Sequence, residues 1–227
     1  MHRFYIPSED RELRQELWID DKELVHQWQK VLRFKEGDEV ALFDEECEKL
    51  YKIDRAEPNA YRLQHVTDLM RKIPAKHVYL FWSLLKKDKN DWVIQKCTEL
   101  GVSNFVPIIS ERTENNQFDI ERSRKIAIEA TEQCGRSDIP TIHEPMSLEQ
   151  AIGTYIDKLA LYYTHMEADD VADSTEDKLG VLVGPEGGWS DAELENFRQA
   201  GLKSIQLGNF VYRAETASIV ATSKLIN

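Results

Sequence analysis

Two segments near the C-terminus hold the residue types that small-molecule chemistry needs. The first is Val181-Leu182-Val183-Gly184-Pro185-Glu186-Gly187-Gly188. The second, about twenty residues on, is Leu207-Gly208-Asn209-Phe210-Val211-Tyr212-Arg213-Ala214-Glu215-Thr216-Ala217. Each reads as an apolar strand running into a glycine-bearing turn and then a helix. Open parallel sheets bind ligands at such junctions, beyond the carboxyl ends of their strands. Two junctions so close together predict one composite pocket. Gly184, Gly187 and Gly188 would also serve a plain tight turn, so the spacing alone leaves that reading open.

The spacing does exclude some ligands. Neither G-x-x-x-x-G-K-[ST] nor G-x-G-x-x-G is present, and phosphate cradles expose backbone N–H groups away from negative charge. Glu186 puts a carboxylate inside the turn and would repel phosphates. A cationic or neutral adenosine-like ligand suits that charge better. Arg213 and Glu215 sit between the last strand and the last helix, with Ala214, Glu215 and Thr216 in the first helical turn. An acid there is favoured by the helix dipole, Thr216 is a candidate local cap, and Arg213 has Glu215 and Glu186 as candidate partners. Residue type alone leaves structural and catalytic roles both open.

Other chemistries find less support. His26, His65, His77, His143 and His165 lack metal-ligand spacing, so no metal centre is expected. Ser190 follows Gly188-Trp189 without a G-x-S-x-G elbow and, with Glu193, reads as a capping box. Asp88, Asp91, Glu99, Glu129 and Glu132 read as solvated helix faces.

The elements that must position these residues follow two patterns. Residues 1–72 read as mainly β: strands near 3–6, 39–43, 50–56 and 61–67, and one helix capped by Asp20 or Asp21 and running to about Leu32. This predicts a small barrel, with residues 71–74 as linker. Residues 73–227 alternate strand and helix: strands 77–84, 104–109, 159–163, 179–183 and 204–207, and helices 90–100, 120–134, 190–200 and 214–226. An acidic loop with some helical character is expected at 170–177. Strands alternating with helices imply a parallel sheet covered on both faces.

Length and composition fit one or two ordinary domains: 227 residues, 41% hydrophobic and 31% charged. Three well-separated cysteines, Cys47, Cys97 and Cys134, favour a reducing compartment. No apolar leader or membrane span is evident, and a cytoplasmic location is expected. The net charge of −12 disfavours a nucleic-acid partner, whose affinity rests on Lys and Arg. Yet residues 141–202 hold 13 acids against 3 bases, which leaves the remainder nearly neutral. Its bases cluster as Arg11/Arg14, Lys30/Arg33/Lys35, Lys86/Lys87/Lys89 and Arg122/Arg124/Lys125.

Gly184-Pro-Glu-Gly-Gly188, Leu207-Gly208 and Arg213-x-Glu215-Thr216-Ala217 together resemble the C-terminal signature of the 16S ribosomal RNA uracil-N3 methyltransferases, the RsmE-type members of the SPOUT superfamily. The resemblance extends upstream through Lys96-x-x-Glu99-Leu100-Gly101-Val102, Pro107, Glu129-Ala130-x-x-Gln133-x-x-Arg136 and Pro140. It reaches Arg3-Phe4 and His26 with Val31-Leu32-Arg33, and so covers nearly the whole chain in order. Tyr212, where leucine is more usual, and Thr113, where serine is, depart from the pattern in ways that bear on pocket shape.

The resemblance implies an α/β, SPOUT-type parallel-sheet domain with a trefoil knot, preceded by a PUA-like RNA-binding β-barrel. It implies S-adenosyl-L-methionine held by Gly184, Pro185, Glu186, Gly187, Gly188, Leu207, Gly208, Tyr212, Arg213, Thr216 and Ala217. Arg213 would stabilise charge on the uracil, and Glu215 or a water it orders would take the N3 proton. Arg3, His26, Arg33, Lys86, Lys87, Arg112 and Arg136 would hold 16S rRNA of the small ribosomal subunit, and the working form would be a homodimer. Two rival readings remain: a SPOUT enzyme for another RNA position, and a non-catalytic RNA-binding assembly factor. A nicotinamide enzyme is a distant third, because the dinucleotide fingerprint is missing.

Overall fold

The chain divides by contacts into two units, Met1–Ile73 with Thr131–Asp138, and Pro74–Ala130 with Ile139–Asn227. The structure is a computed structural model and describes residues 1–168 and 176–226.

The first unit contains β1 (His2–Tyr5), β2 (Glu16–Ile19), α1 (Lys22–His26), β3 (Glu39–Phe43), β4 (Glu48–Glu57) and β5 (Ala60–Asp68). They form a five-stranded sheet ordered β1-β3-β4-β5-β2, antiparallel except for the β1–β3 pair. Asp21 caps α1, its side chain accepting the Leu24 N–H at 2.8 Å. The helix then widens into a π-helical run, Gln27–Leu32, which ends at Arg33 in the left-handed region. This run turns Trp28 fully into the core, where its ring lies 5.0 Å from Phe4 and 5.2 Å from Tyr61. β2 was not anticipated, although its alternating burial is the usual strand signal. The division between the units falls within residues 71–74, where Arg71 donates to the Ser137 carbonyl at 2.8 Å and the Lys72 N–H donates to Ser137 Oγ at 2.8 Å.

The second unit continues with β6 (His77–Ser83), α2 (Lys87–Leu100), β7 (Asn104–Ile109), α3 (Ile120–Cys134), β8 (Thr141–Ile142), β9 (Met146–Ser147) and α4 (Leu148–Tyr155). The last turn of α3 is grouped with the first unit. Then come β10 (Ala160–Thr164), β11 (Lys178–Val183), α5 (Asp191–Gln199), β12 (Lys203–Ile205) and α6 (Ala214–Ile226). All seven strands run parallel, ordered β12-β10-β11-β6-β7-β8, with β9 also on β7. The expected α/β pattern with a parallel sheet is present. The central strands are apolar along most of their length, as burial on both faces requires; Val78, Leu80, Leu179 and Val181 are all buried.

Several boundaries differ from expectation. α2 starts at Lys87, because the buried Asn90 accepts from Trp82 Nε1 and the Leu85 N–H, both at 3.0 Å, and donates to the Leu85 carbonyl at 2.8 Å. These bonds fix the turn into the helix. β12 stops at Ile205, which leaves Leu207 in a loop. β8, β9 and α4 were unforeseen. α5 does open on the Ser190–Glu193 capping box and stops just before Gly201, whose φ is +73°. The acidic loop expected at 170–177 falls mostly outside the described residues.

Candidate functional site

The carboxyl ends of three neighbouring parallel strands, β10, β11 and β12, open into a cavity of about 500 Å³. Its walls come from Thr164–Met166 after β10, Val183–Glu186 with Gly188 and Trp189 after β11, and Leu207 with Phe210–Ala214 and Ala217 after β12. The two segments singled out in the sequence therefore do share one pocket. Gly184, Pro185, Glu186, Gly188, Leu207, Tyr212, Arg213 and Ala217 line it.

Gly187, Gly208, Glu215 and Thr216 are not among the lining residues. Gly187 instead offers its carbonyl to the Arg112 guanidinium at 2.9 Å. Gly208 supports the wall from behind, because a Cβ there would lie 2.5 Å from the Tyr212 hydroxyl oxygen. Thr216 is exposed on α6.

The turn after β11 is held from several sides. Its closing bond runs from the Gly188 N–H to the Pro185 carbonyl at 2.9 Å, with Gly188 at φ +67°, a region that suits glycine. Arg112 also donates to the Trp189 carbonyl at 3.1 Å. Ser190 Oγ donates to Glu111 at 2.6 Å, and the Glu111 N–H returns to Glu193 at 2.8 Å. Trp189 is buried, and its indole N–H reaches the Thr164 carbonyl at 3.0 Å. A wall braced this way needs little rearrangement to receive a ligand.

Electrostatics divide the rim. Lys89 Nζ donates to Glu186 Oε1 at 2.8 Å and lies 3.6 Å from Glu215 Oε2. Burial pushes the Glu186 carboxyl up, but the Lys89 hydrogen bond and the loop's own N–H groups outweigh it and hold the group below the usual carboxylate range. The hydrogen bond to Glu186 correspondingly raises the Lys89 ammonium above the ordinary lysine value. Glu215 Oε2 is buried and has no hydrogen-bond partner among the described residues. Arg213 is exposed at the rim, and its side chain makes no hydrogen bond or ion pair among the described residues. Its carbonyl accepts the Ala217 N–H at 2.8 Å, which starts α6.

The residues expected to hold RNA fall into two groups. His26, Arg33, Lys86 and Lys87 are exposed. Arg3 is paired with the buried Glu48, Arg136 is buried and bidentate to Asp138 at 3.0 and 2.6 Å, and Arg112 braces the glycine turn. The structure gives these three internal partners. Sequence reading missed Thr164, His165 and Met166, because strand order is what brings the end of β10 beside β11. It also missed Lys89, although the Lys86/Lys87/Lys89 cluster was visible. Among the described residues no cluster of three or more His, Cys, Asp or Glu is placed to hold a metal, and no helix is long and apolar enough to cross a membrane.

Residues 71–226 match the RNA methyltransferase domain family. The chain is 33% identical over 235 residues to ribosomal RNA small subunit methyltransferase E of Aquifex aeolicus, covering 100% of both chains. It is 31% identical to the protein of that name in Bacillus subtilis, over 89% of this chain and 87% of that one. A Legionella pneumophila putative methyltransferase, solved in complex with its bound cofactor SAM, superposes with a TM-score of 0.85 at 29% identity, over 98% and 96% of the two chains. Ribosomal RNA small subunit methyltransferase E of Neisseria gonorrhoeae, solved bound to S-adenosyl methionine, gives 0.84 at 25% identity, over 98% and 95%. With matches that run the length of the chain, and with both C-terminal segments of the signature meeting in one cavity, the chain belongs to the ribosomal RNA small subunit methyltransferase E family.

Proposed function

We propose that this chain transfers a methyl group from S-adenosylmethionine to N3 of a uridine in the 16S RNA of the small ribosomal subunit. The observation that carries the proposal is the cavity, with Arg213 at its rim and its side chain unpaired among the described residues. Its volume of about 500 Å³ lies in the range usual for cofactor-sized sites. Val183, Pro185, Leu207, Phe210 and Val211 give it apolar walls. The backbone groups of Leu207, Phe210 and Tyr212 make no backbone hydrogen bond among the described residues, which leaves N–H and C=O groups to read an adenine edge. Glu186 adds negative charge, which favours a sulfonium over a phosphate. The residues present fit the donor.

The donor, when bound, supplies an electrophilic methyl carbon. The chain must align the target with it, and alignment is a large part of such catalysis. Uracil N3 carries a proton and is a poor nucleophile until that proton leaves. The Arg213 guanidinium is free to stabilise negative charge on the uracil oxygens as it does. Glu215, or a water it orders, takes the proton. N3 lies on the Watson–Crick edge, so the base enters unpaired or flipped.

The same reading takes residues 1–72 as a PUA-like RNA-binding barrel, with His26 and Arg33 as contacts. It takes residues 73–227 as a knotted SPOUT domain, with Lys86 and Lys87 as further contacts, working as a cytoplasmic homodimer. The test is to incubate the protein with labelled donor and undermethylated small subunits, then identify the labelled nucleoside by mass spectrometry. 3-Methyluridine supports the proposal. Label on a ribose 2′-hydroxyl or on another base makes it a methyltransferase for a different position. Calorimetric donor binding without transfer would leave an RNA-binding assembly factor.

A further inference from the structure

Lys89 stands in the first turn of α2, its N–H bonded to the Lys86 carbonyl at 2.9 Å, and Asn90 beside it is locked by three hydrogen bonds. The backbone that carries the ammonium is therefore fixed. Two carboxylates from distant segments converge on it: Glu186 of the glycine turn at 2.8 Å and Glu215 of α6 at 3.6 Å. The strap is tight at Glu186 and loose at Glu215, whose nearer oxygen is buried with no hydrogen-bond donor among the described residues. A buried acceptor without a donor is costly and is satisfied once a donor arrives. Lys89 is the cation held beside that oxygen.

We propose that Lys89 is a positioning residue for methyl transfer, holding Glu186 and Glu215 on one point charge so that the Glu215 carboxylate keeps its place beside the cavity. This rests on the reading of the site as a uridine methyltransferase. Lysine suits the task as a compact charge on a flexible stem. Without it, Glu186 and Glu215 lose the cation that holds both, and each is free to move. A displaced Glu215 can no longer accept the N3 proton. Donor binding, which uses cavity walls that neither Lys89 nor Glu215 lines, is affected much less. An ordinary surface ion pair contributes little and would leave turnover untouched.

The test compares Lys89→Met and Lys89→Arg with wild type, measuring kcat on small subunits, donor Kd by calorimetry, and Tm. Lys89→Met is expected to lower kcat by about 10- to 100-fold, less than the roughly 100- to 10,000-fold that a positioned base itself contributes, with donor Kd changed by less than about threefold. Lys89→Arg, which restores the cation, recovers most of kcat. Unchanged kcat in Lys89→Met overturns the proposal. So does loss of kcat and donor affinity by one common factor that arginine fails to rescue, because that marks a structural strut. If Lys89→Met does not fold, Lys89→Gln carries the same comparison. Wild-type transfer to an atom other than uridine N3 removes the assigned target but leaves the Lys89 comparison intact on the real product. No transfer by wild type removes both.

Discussion

Trp189 donates its indole N–H to the carbonyl oxygen of Thr164 at 3.0 Å and thereby ties the turn after β11 to the end of β10. Thr164 ends β10 and Trp189 lies in the turn that follows the adjacent parallel strand β11, and both line the cavity. Trp189→Phe keeps the apolar bulk but leaves a carbonyl without its partner, a cost of about 1–3 kcal/mol. The expected result is a Tm lower by about 2–4 °C per kcal/mol lost, with a weaker donor Kd by calorimetry. A drop in Tm with donor affinity intact would show that the bond serves the fold alone.

Arg213→Ala should separate chemistry from binding. The side chain has no partner to lose among the described residues, so Tm is expected to hold. Removing a charge-stabilising donor from a reaction of this kind costs about 100- to 1000-fold in kcat. Donor Kd should move by far less. Equal loss in kcat and donor affinity would recast Arg213 as a clamp on the donor.

Gly208 and Tyr212 make a paired prediction. A methyl at Gly208 meets the Tyr212 hydroxyl oxygen at 2.5 Å and the carbon that bears it at 3.3 Å. Gly208→Ala therefore displaces the Tyr212 ring from the cavity wall and weakens donor binding. Adding Tyr212→Phe removes the nearer atom and should restore part of the affinity. A double variant no better than Gly208→Ala would mean that the backbone, not the ring, absorbs the clash.

Arg33 sits at φ +57°, ψ +40°, the sole non-glycine residue with positive φ among those described. An L-residue there carries about 1 kcal/mol of strain. Arg33→Gly should keep or slightly raise stability in urea while weakening RNA binding and flattening its salt dependence. Lys87→Glu should have the same effect on RNA. If neither substitution changes the salt slope, both residues leave the RNA interface.

Acid stability supplies a further check. Burial pushes the Glu45 carboxyl up, but hydrogen bonds from the Tyr5 hydroxyl, Ser8 and the loop backbone outweigh it and bring the group down to about 2. A carboxyl lowered on folding contributes stability that is fully present above its unfolded pKa and is lost as pH falls through its folded value. The urea midpoint of wild type should therefore exceed that of Glu45→Gln at pH 5, and the gap should close as pH approaches 2. A gap independent of pH would remove the charge from the explanation.

Much of the site was readable where signals are local. The strand ending at Val183, the Ser190–Glu193 capping box and the helices Ile120–Cys134 and Ala214–Ile226 rest on contacts a few residues apart. The order β12-β10-β11-β6-β7-β8 depends on packing across the whole unit, so the share of Thr164–Met166 in the cavity was hidden. Charge pairing was hidden for the same reason. Arg3 meets Glu48 and Lys89 meets Glu186 across 45 and 97 residues of sequence, and no spacing rule reaches that far. Ser147 and Gln150 did form a readable capping box for α4, a local signal that was overlooked.

The cavity's third wall is α6 and the loop before it, anchored by Ala214, Ser218, Ala221, Thr222 and Leu225 in the core. Without those residues docked, the receptacle lacks that wall. The pocket is therefore closed by the element farthest along the unit from β6, and anything that loosens the docking of α6 opens the receptacle on that side.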